Sequence, residues 1–172
     1  MVDKNWEDEI KKVDIHILSG FSASGKTLAN RFLEELGFIT ISPTSPNDIT
    51  QDVKSLVMRG IKKIVVNVDI RTYIASCLER EPFLSSFNRA LEELFNPPVM
   101  FLSCSDEVLI RRLSKEGRSL HPLSAILSMD ISVEEALSLE KSILMPVKEK
   151  ARFIIDTTLT SVWGLRRKIF EI

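Results

Sequence analysis

Two cysteines, two histidines, no run of eighteen apolar residues and a formal net charge of only −1 mark what this 172-residue chain has little of. Cys77 and Cys104 stand far apart without C-x-x-C spacing, and His16 and His121 are the only imidazoles that could join them. Neither a zinc site nor a disulfide framework is expected, and both thiols are read as buried in a reducing compartment. With no long apolar run there is no candidate membrane span, and the opening "MVDKNWEDEIKK" is charged where a secretory signal would be apolar, so a cytoplasmic location without membrane attachment is expected. A net charge near zero supplies no overall basic field toward nucleic acid or anionic lipid, although it leaves room for a local patch. No internal repeat or low-complexity tract is visible. Residues 1–12 are taken as an N-terminal extension and 13–172 as one domain.

What is present is an ordinary globular composition, 44% hydrophobic and 27% charged, in a chain long enough to bury a sizeable core. Short apolar runs rich in β-branched residues recur at 13–19, 37–42, 61–69, 98–104 and 151–157, and they read as buried strands. Helical patterns lie between them. "KTLANRFLEELG" places Leu28, Phe32, Leu33 and Leu36 on one face and stops at Gly37. A second helix begins near Asn47 or Asp48 and stops at Gly60, and a third starts at Ser105 with Asp106 and Glu107 near its positive end. Further helices are expected within 73–95, 132–149 and 160–171, with Ser132 and Glu135 as a capping box. Such alternation predicts an α/β fold with a parallel sheet and helices on both faces.

The sharpest motif is "GFSASGKT" at 20–27, which fits G-x-x-x-x-G-K-S/T between a predicted strand and a predicted helix. In that setting the backbone of Gly20, Phe21, Ser22, Ala23, Ser24 and Gly25 and the positive end of the helix converge on one anion. Lys26 brings a full charge to the β and γ phosphates, and the Thr27 hydroxyl is a ligand for Mg²⁺. The bland alternative is a Gly/Ser-rich strand-to-helix connection. A Mg²⁺-nucleotide site also needs a carboxylate at the end of a neighbouring strand, and "IVVNVDIR" supplies Asp69. Asp69 could equally be the cap of the next helix. Arg71 could pair with a phosphate or with a carboxylate nearby. "LIRRLSKEGRSLHPLS" brings Arg111, Arg112 and Arg118 to a helix end and loop. Arg118, in the loop, is the better candidate for neutralising charge in a transition state, while Arg111 and Arg112 fit a solvated face as well. His121 has no carboxylate partner close in sequence and is read as structural or as a weak phosphate donor.

These segments, in this order, resemble the nucleotide-binding domain of the RapZ (YvcJ) family of P-loop RNase adapters. The likeness runs from Asp14 onward through "SGFSASGKT", "ELGF", "VDIR", "FLSCSDEVLIRRLSKEGRSLHPLS" and "LEKSILMPVKEKARFIIDTT". It implies a three-layer P-loop fold of the kinase type, with a five-stranded parallel sheet in the order 2-3-1-4-5, that binds ATP and GTP and hydrolyses them slowly. By the same resemblance the loop at 20–27 holds ATP phosphates, and Asp69, Ile70, Arg71 and Thr72 form a segment assigned to GTP. The family's C-terminal domain, which carries RNA and aminosugar-phosphate recognition, has no counterpart before the chain stops, so RNA binding is not carried over. The chain is either a separated domain or a shortened relative. It departs from the family in "SPTSP" where a "DNLP"-like motif is usual, in "GRSLHPL" where an arginine pair is usual, and in Ala23 where glycine is common. Alanine is tolerable there if the local φ is negative.

The leading expectation is an ATP- or GTP-binding protein with slow Mg²⁺-dependent hydrolysis and a regulatory role. Lys26, Asp69 and Arg118 are its candidate catalytic residues, Thr27 and Asp69 its metal ligands, and the other partner is unspecified. One alternative is a small-molecule kinase using the same cradle, for which Asp48 is a candidate proton acceptor, though it reads more naturally as a helix cap. The other is a nucleotide-binding module without turnover, favoured by the missing acidic loop motif. Fold does not choose among the three.

Overall fold

The computed structural model describes residues 4–115, 121–128 and 130–172. In chain order the elements are α1 (Lys4–Ile10), β1 (Asp14–Gly20), α2 (Lys26–Glu35), β2 (Ile39–Ile41), α3 (Ile49–Met58), β3 (Lys63–Asn67), α4 (Ile70–Leu78), α5 (Phe83–Glu93), β4 (Val99–Ser103), α6 (Asp106–Lys115), α7 (Pro122–Leu127), α8 (Val133–Glu149), β5 (Phe153–Asp156) and α9 (Val162–Phe170). All five strands are parallel and lie in the order β2-β3-β1-β4-β5. Parallel neighbours need crossovers long enough to carry helices, and the helices then cover both faces.

Side chains alternate across the three central strands. Ile15 and Ile17 of β1, Ile64 and Val66 of β3 and Val99 and Phe101 of β4 face the core under α1, α3, α5 and α8. Leu18, Val65, Met100 and Leu102 face the opposite core, closed by Ala29, Phe32 and Leu33 of α2 and by Leu165 and Ile169 of α9. Each such side chain contributes about 1.5–3 kcal/mol by leaving water. The outer strands differ from the buried strands expected: they are sheet edges, and Ile154 of β5 is 54% exposed. Register fixes the site. Leu18 pairs with Asn67 and Gly20 with Leu102, so β1 runs two residues past the end of β3 and its loop stands over the carboxyl ends of its neighbours. In open α/β sheets ligands collect in that crevice, where the chain crosses from one side of the first strand to the other.

Some local detail is added. The helical stretch expected within 73–95 holds two helices, because Arg80 takes φ +58 and Pro82 opens α5 in an extended conformation; the residue ahead of a proline is pushed out of helical geometry. Cys104 is buried, but Cys77, in the last turn of α4, is exposed. Within the stretch taken as an extension, α1 folds against α3 and buries Trp6 and Ile10, four residues apart and therefore on one face. Among the described residues no helix is long and apolar enough to cross a membrane.

Candidate functional site

Gly20 ends β1 where a side chain has no room. A Cβ would lie 2.6 Å from the Leu102 carbonyl oxygen and 2.9 Å from the Ser24 hydroxyl. Phe21 donates its N–H to that carbonyl at 3.3 Å and sets its ring edge-on against Phe101, with centroids 5.0 Å apart. Ser24 donates back to the Phe21 carbonyl at 3.1 Å, which tightens the turn. Ala23 has φ +63, so the negative φ on which its tolerance depended is not what the loop adopts. The left-handed conformation crowds Cβ against the next carbonyl at a cost of about 1–2 kcal/mol. Gly25, at φ +109, is the N-cap of α2 and offers no side chain to the helix end. The first amides of a helix have no partners within it, and the aligned peptide dipoles add partial positive charge, so the mouth of α2 is built for an anion.

Lys26 folds back across this mouth. Its Nζ donates to the carbonyls of Gly20 (2.9 Å) and Phe21 (2.8 Å) and stands 4.0 Å from Asp69 Oδ2. Asp69 takes the capping role foreseen for it as the alternative. As the N-cap of α4 it accepts the Arg71 N–H on Oδ1 at 2.9 Å, while its own N–H donates to the Thr72 hydroxyl at 3.2 Å. Its other oxygen faces Lys26 and, at 3.6 Å, Arg71 Nη1. The side chains of Lys26 and Asp69 are each 14% exposed, whereas Arg71 is 58% exposed and swings over the opening. Thr27 is exposed in the first turn of α2. A hydroxyl and a carboxylate are hard oxygen donors of the kind Mg²⁺ takes together with water and phosphate, so the residues present fit that ion. Ile70 is buried among Ile74 and Leu123 and serves the core, and the buried Thr72 completes the cap of α4.

The opposite wall comes from α6 and from the turn after β5. Arg112 donates Nη1 to the Ala23 carbonyl and to Thr157 Oγ1, both at 3.2 Å, and Nη2 to the Thr157 carbonyl at 2.9 Å. Thr157 in turn donates its hydroxyl to the Ser24 carbonyl at 2.8 Å. Arg111, one residue earlier, is exposed. Arg118 lies outside the described residues. Beside this wall, the Thr158 hydroxyl and N–H hold the Asp156 carboxyl below the usual carboxylate range. Together these groups enclose a cavity of about 600 Å³ lined by residues 22–28, Arg71, Arg112, Thr157 and the start of α9 from Thr160 to Val162 with Leu165. A second cavity of about 330 Å³ shares Arg71 with the first and is lined further by Asp69, Ser42, Pro43, Thr44, Asn67, Thr72 and Ile126. Asp48 is in the wall of neither. Its Oδ2 accepts the Ser45 N–H and hydroxyl at 3.2 and 3.3 Å, the capping role that competed with a catalytic one.

Glu140 escaped the sequence, and with it the partner of His121: His121 Nε2 is 2.7 Å from Glu140 Oε2, and both side chains are fully buried. Glu140 Oε1 accepts the Ser22 N–H at 2.9 Å and the Ser22 hydroxyl at 3.0 Å. A signal existed in hindsight, because Glu140 interrupts the apolar stripe of Ala136, Leu137, Leu144 and Val147 on α8. An acid facing a core is almost never left unpaired.

A family model described as the RapZ-like N-terminal domain matches residues 13–172. A curated nucleotide-binding protein of Aliivibrio fischeri (strain MJ11) is 38% identical over 150 residues, covering 87% of this chain and 50% of the relative. One from Haemophilus ducreyi is 32% identical over 160 residues, covering 93% and 53%. The chain thus spans about half the length of the curated relatives it matches. Among solved structures, the shikimate kinase from Acinetobacter baumannii superposes with a TM-score of 0.57 at 17% identity over 95% of this chain and 94% of that one, a likeness of fold.

Proposed function

The chain belongs to the family of RapZ-like N-terminal domains, and from that premise we propose that it binds a nucleoside triphosphate, ATP or GTP, with Mg²⁺ in the cavity at the mouth of α2 and hydrolyses it slowly. The observation that carries this is the convergence of the glycine-bounded loop, Lys26 and Asp69 on one opening, with Lys26 Nζ 4.0 Å from the carboxylate. Phosphates enter against the first-turn amides of α2, and the Lys26 ammonium exchanges two loop carbonyls for β and γ oxygens. Thr27 and Asp69 would hold Mg²⁺, which on binding draws charge from those oxygens. Arg112 braces the loop from behind, and Arg71, the more exposed arginine, is the one to neutralise charge growing on the transferred phosphoryl group. Thr160 to Val162 and Leu165, which line the far end of the cavity, provide polar and apolar surface for the base and sugar. The names of the curated relatives point the same way.

Titration calorimetry tests the proposal. Mg²⁺-dependent binding of ATP or GTP is expected, with a loss of about a hundredfold or more in Lys26→Ala, because charge-assisted hydrogen bonds to phosphate are worth about 1.5–3 kcal/mol each. Unchanged affinity in that variant rejects the loop as the site. With "SPTSP" where the acidic motif is usual after the second strand, phosphate release is expected below roughly 1 s⁻¹, the lower edge for dedicated phosphotransferases. Binding with no release at all selects a module without turnover, and a regulatory role is the natural use of a slow or silent site.

One observation favours a second reading. The cavity beside β2 shares Arg71 with the phosphate cavity and is bordered by Asp69 and by the hydroxyls of Ser42 and Thr44, a geometry suited to a small acceptor. In a kinase the carboxylate there would be Asp69. Incubation with labelled ATP and a panel of sugars, polyols and hydroxy acids separates the cases: transfer well above hydrolysis supports a kinase, and release of phosphate alone supports the hydrolase.

A further inference from the structure

Glu140 lies on the middle of α8, with no exposed surface, and every group it meets is a donor. Ser22 gives its backbone N–H and its hydroxyl to Oε1, at 2.9 and 3.0 Å. His121 Nδ1 accepts the Leu123 N–H at 3.1 Å, which leaves the ring proton on Nε2, facing Glu140 Oε2 at 2.7 Å. The Ser22 N–H and the His121 Nε2–H each need an acceptor, and a carboxylate offers one oxygen to each, whereas an amide would turn a hydrogen toward one of them. The same bond that fixes the tautomer of His121 starts α7, so one buried pair ties the phosphate loop to α7 and α8. The residue next to Ser22 is gripped from the same helix: Lys141 and Lys148 lie over the Phe21 ring, 5.5 and 5.8 Å from its centroid.

The consequence for the loop is directional. A phosphate loop works by aiming some amides at the ligand and keeping others out of the way. Ser22 spends its N–H on Glu140, beneath the loop, which sets the plane of the peptide between Phe21 and Ser22 and leaves Ala23 to make the left-handed turn. Building on nucleotide binding at the loop, we propose that Glu140 is a positioning residue for the phosphate cradle. It acts through Ser22, with His121 holding its second oxygen, and it presets the loop to receive a polyphosphate rather than touching the ligand.

Glu140→Gln is the first test because it conserves volume while inverting one donor–acceptor pair. The variant is expected to give the far-ultraviolet circular dichroism of the parent and to bind Mg²⁺-ATP or Mg²⁺-GTP about tenfold more weakly, the loss of one charge-assisted hydrogen bond. Glu140→Asp, which keeps an acceptor-only group one methylene shorter, is expected to recover part of that loss. Folded Glu140→Gln with parental affinity overturns the proposal, as does Glu140→Asp that binds no better than the amide. Should the amide variant not fold, the parent protein decides by nuclear magnetic resonance. The Ser22 amide proton is expected downfield, as befits an N–H on a carboxylate, and protected from exchange before and after nucleotide is added. An exchange-open Ser22 amide in the nucleotide-free protein overturns it. Absence of nucleotide binding by the parent protein defeats the functional reading instead, while parental binding together with an indifferent Glu140→Gln defeats this one alone.

Discussion

Alanine at position 23 carries the only clear backbone strain in the loop. With φ at +63 it adopts the conformation that favours glycine, while the carbonyl it presents is held at 3.2 Å by Arg112. Ala23→Gly removes a crowding term of about 1–2 kcal/mol and restores unfolded-chain entropy worth about 0.4–1 kcal/mol, so the net effect is a stabilisation of roughly 0.5–1 kcal/mol. Urea denaturation is expected to show a higher midpoint with an unchanged slope; a lower midpoint means the loop does not use the left-handed turn. Gly20 is the opposite case, since space rather than conformation alone forbids a side chain there. Asp69 shows how one residue leaves room for two readings: one oxygen caps a helix and the other faces a lysine. The sequence could present those as rivals, because nothing in a linear pattern says that a carboxylate has two oxygens with different neighbours.

Among the elements, α6 shows what a linear pattern leaves open. Arg111 and Arg112 are adjacent, so they point about 100° apart on the helix, and only the face shared with Val108 and Leu109 turns inward. Arg112 is on that face and braces the loop; Arg111 is exposed. Reading which of the two matters required knowing how α6 meets the sheet. Strands and most helices were legible because their β-branched runs, glycine stops and caps are local, as the Ser132–Glu135 capping box illustrates, with bonds of 2.8 and 3.1 Å. Contacts between distant segments were not: nothing near His121 announces Glu140, and nothing near Ser22 announces either. The helix α1 was hidden by its charge, although Trp6 and Ile10 share a face. Trp6→Ala is expected to cost about 3 kcal/mol, the lower end for emptying a buried tryptophan site. A loss under 1 kcal/mol in chemical denaturation would mean that α1 does not pack on α3 in solution.

At the scale of the whole molecule, the order β2-β3-β1-β4-β5 places the one strand–loop–helix unit with a lysine at its mouth in the middle of the sheet. Asp69 reaches it from β3, Thr157 from β5, Arg112 from α6 and Glu140 from α8, so four separate segments converge on eight residues of loop. Under the proposed function, that convergence makes the loop an anion site. It also gives Lys26 a specific arrangement, its ammonium bonded to the Gly20 and Phe21 carbonyls, which the proposed phosphates would replace. A crystal structure with a non-hydrolysable ATP or GTP analogue and Mg²⁺ tests this directly. The β and γ phosphates are expected in the mouth of α2, with Lys26 Nζ moved off both carbonyls and onto phosphate oxygens. Polyphosphate bound elsewhere, or Lys26 still bonded to Gly20 and Phe21 with nucleotide present, would contradict the account.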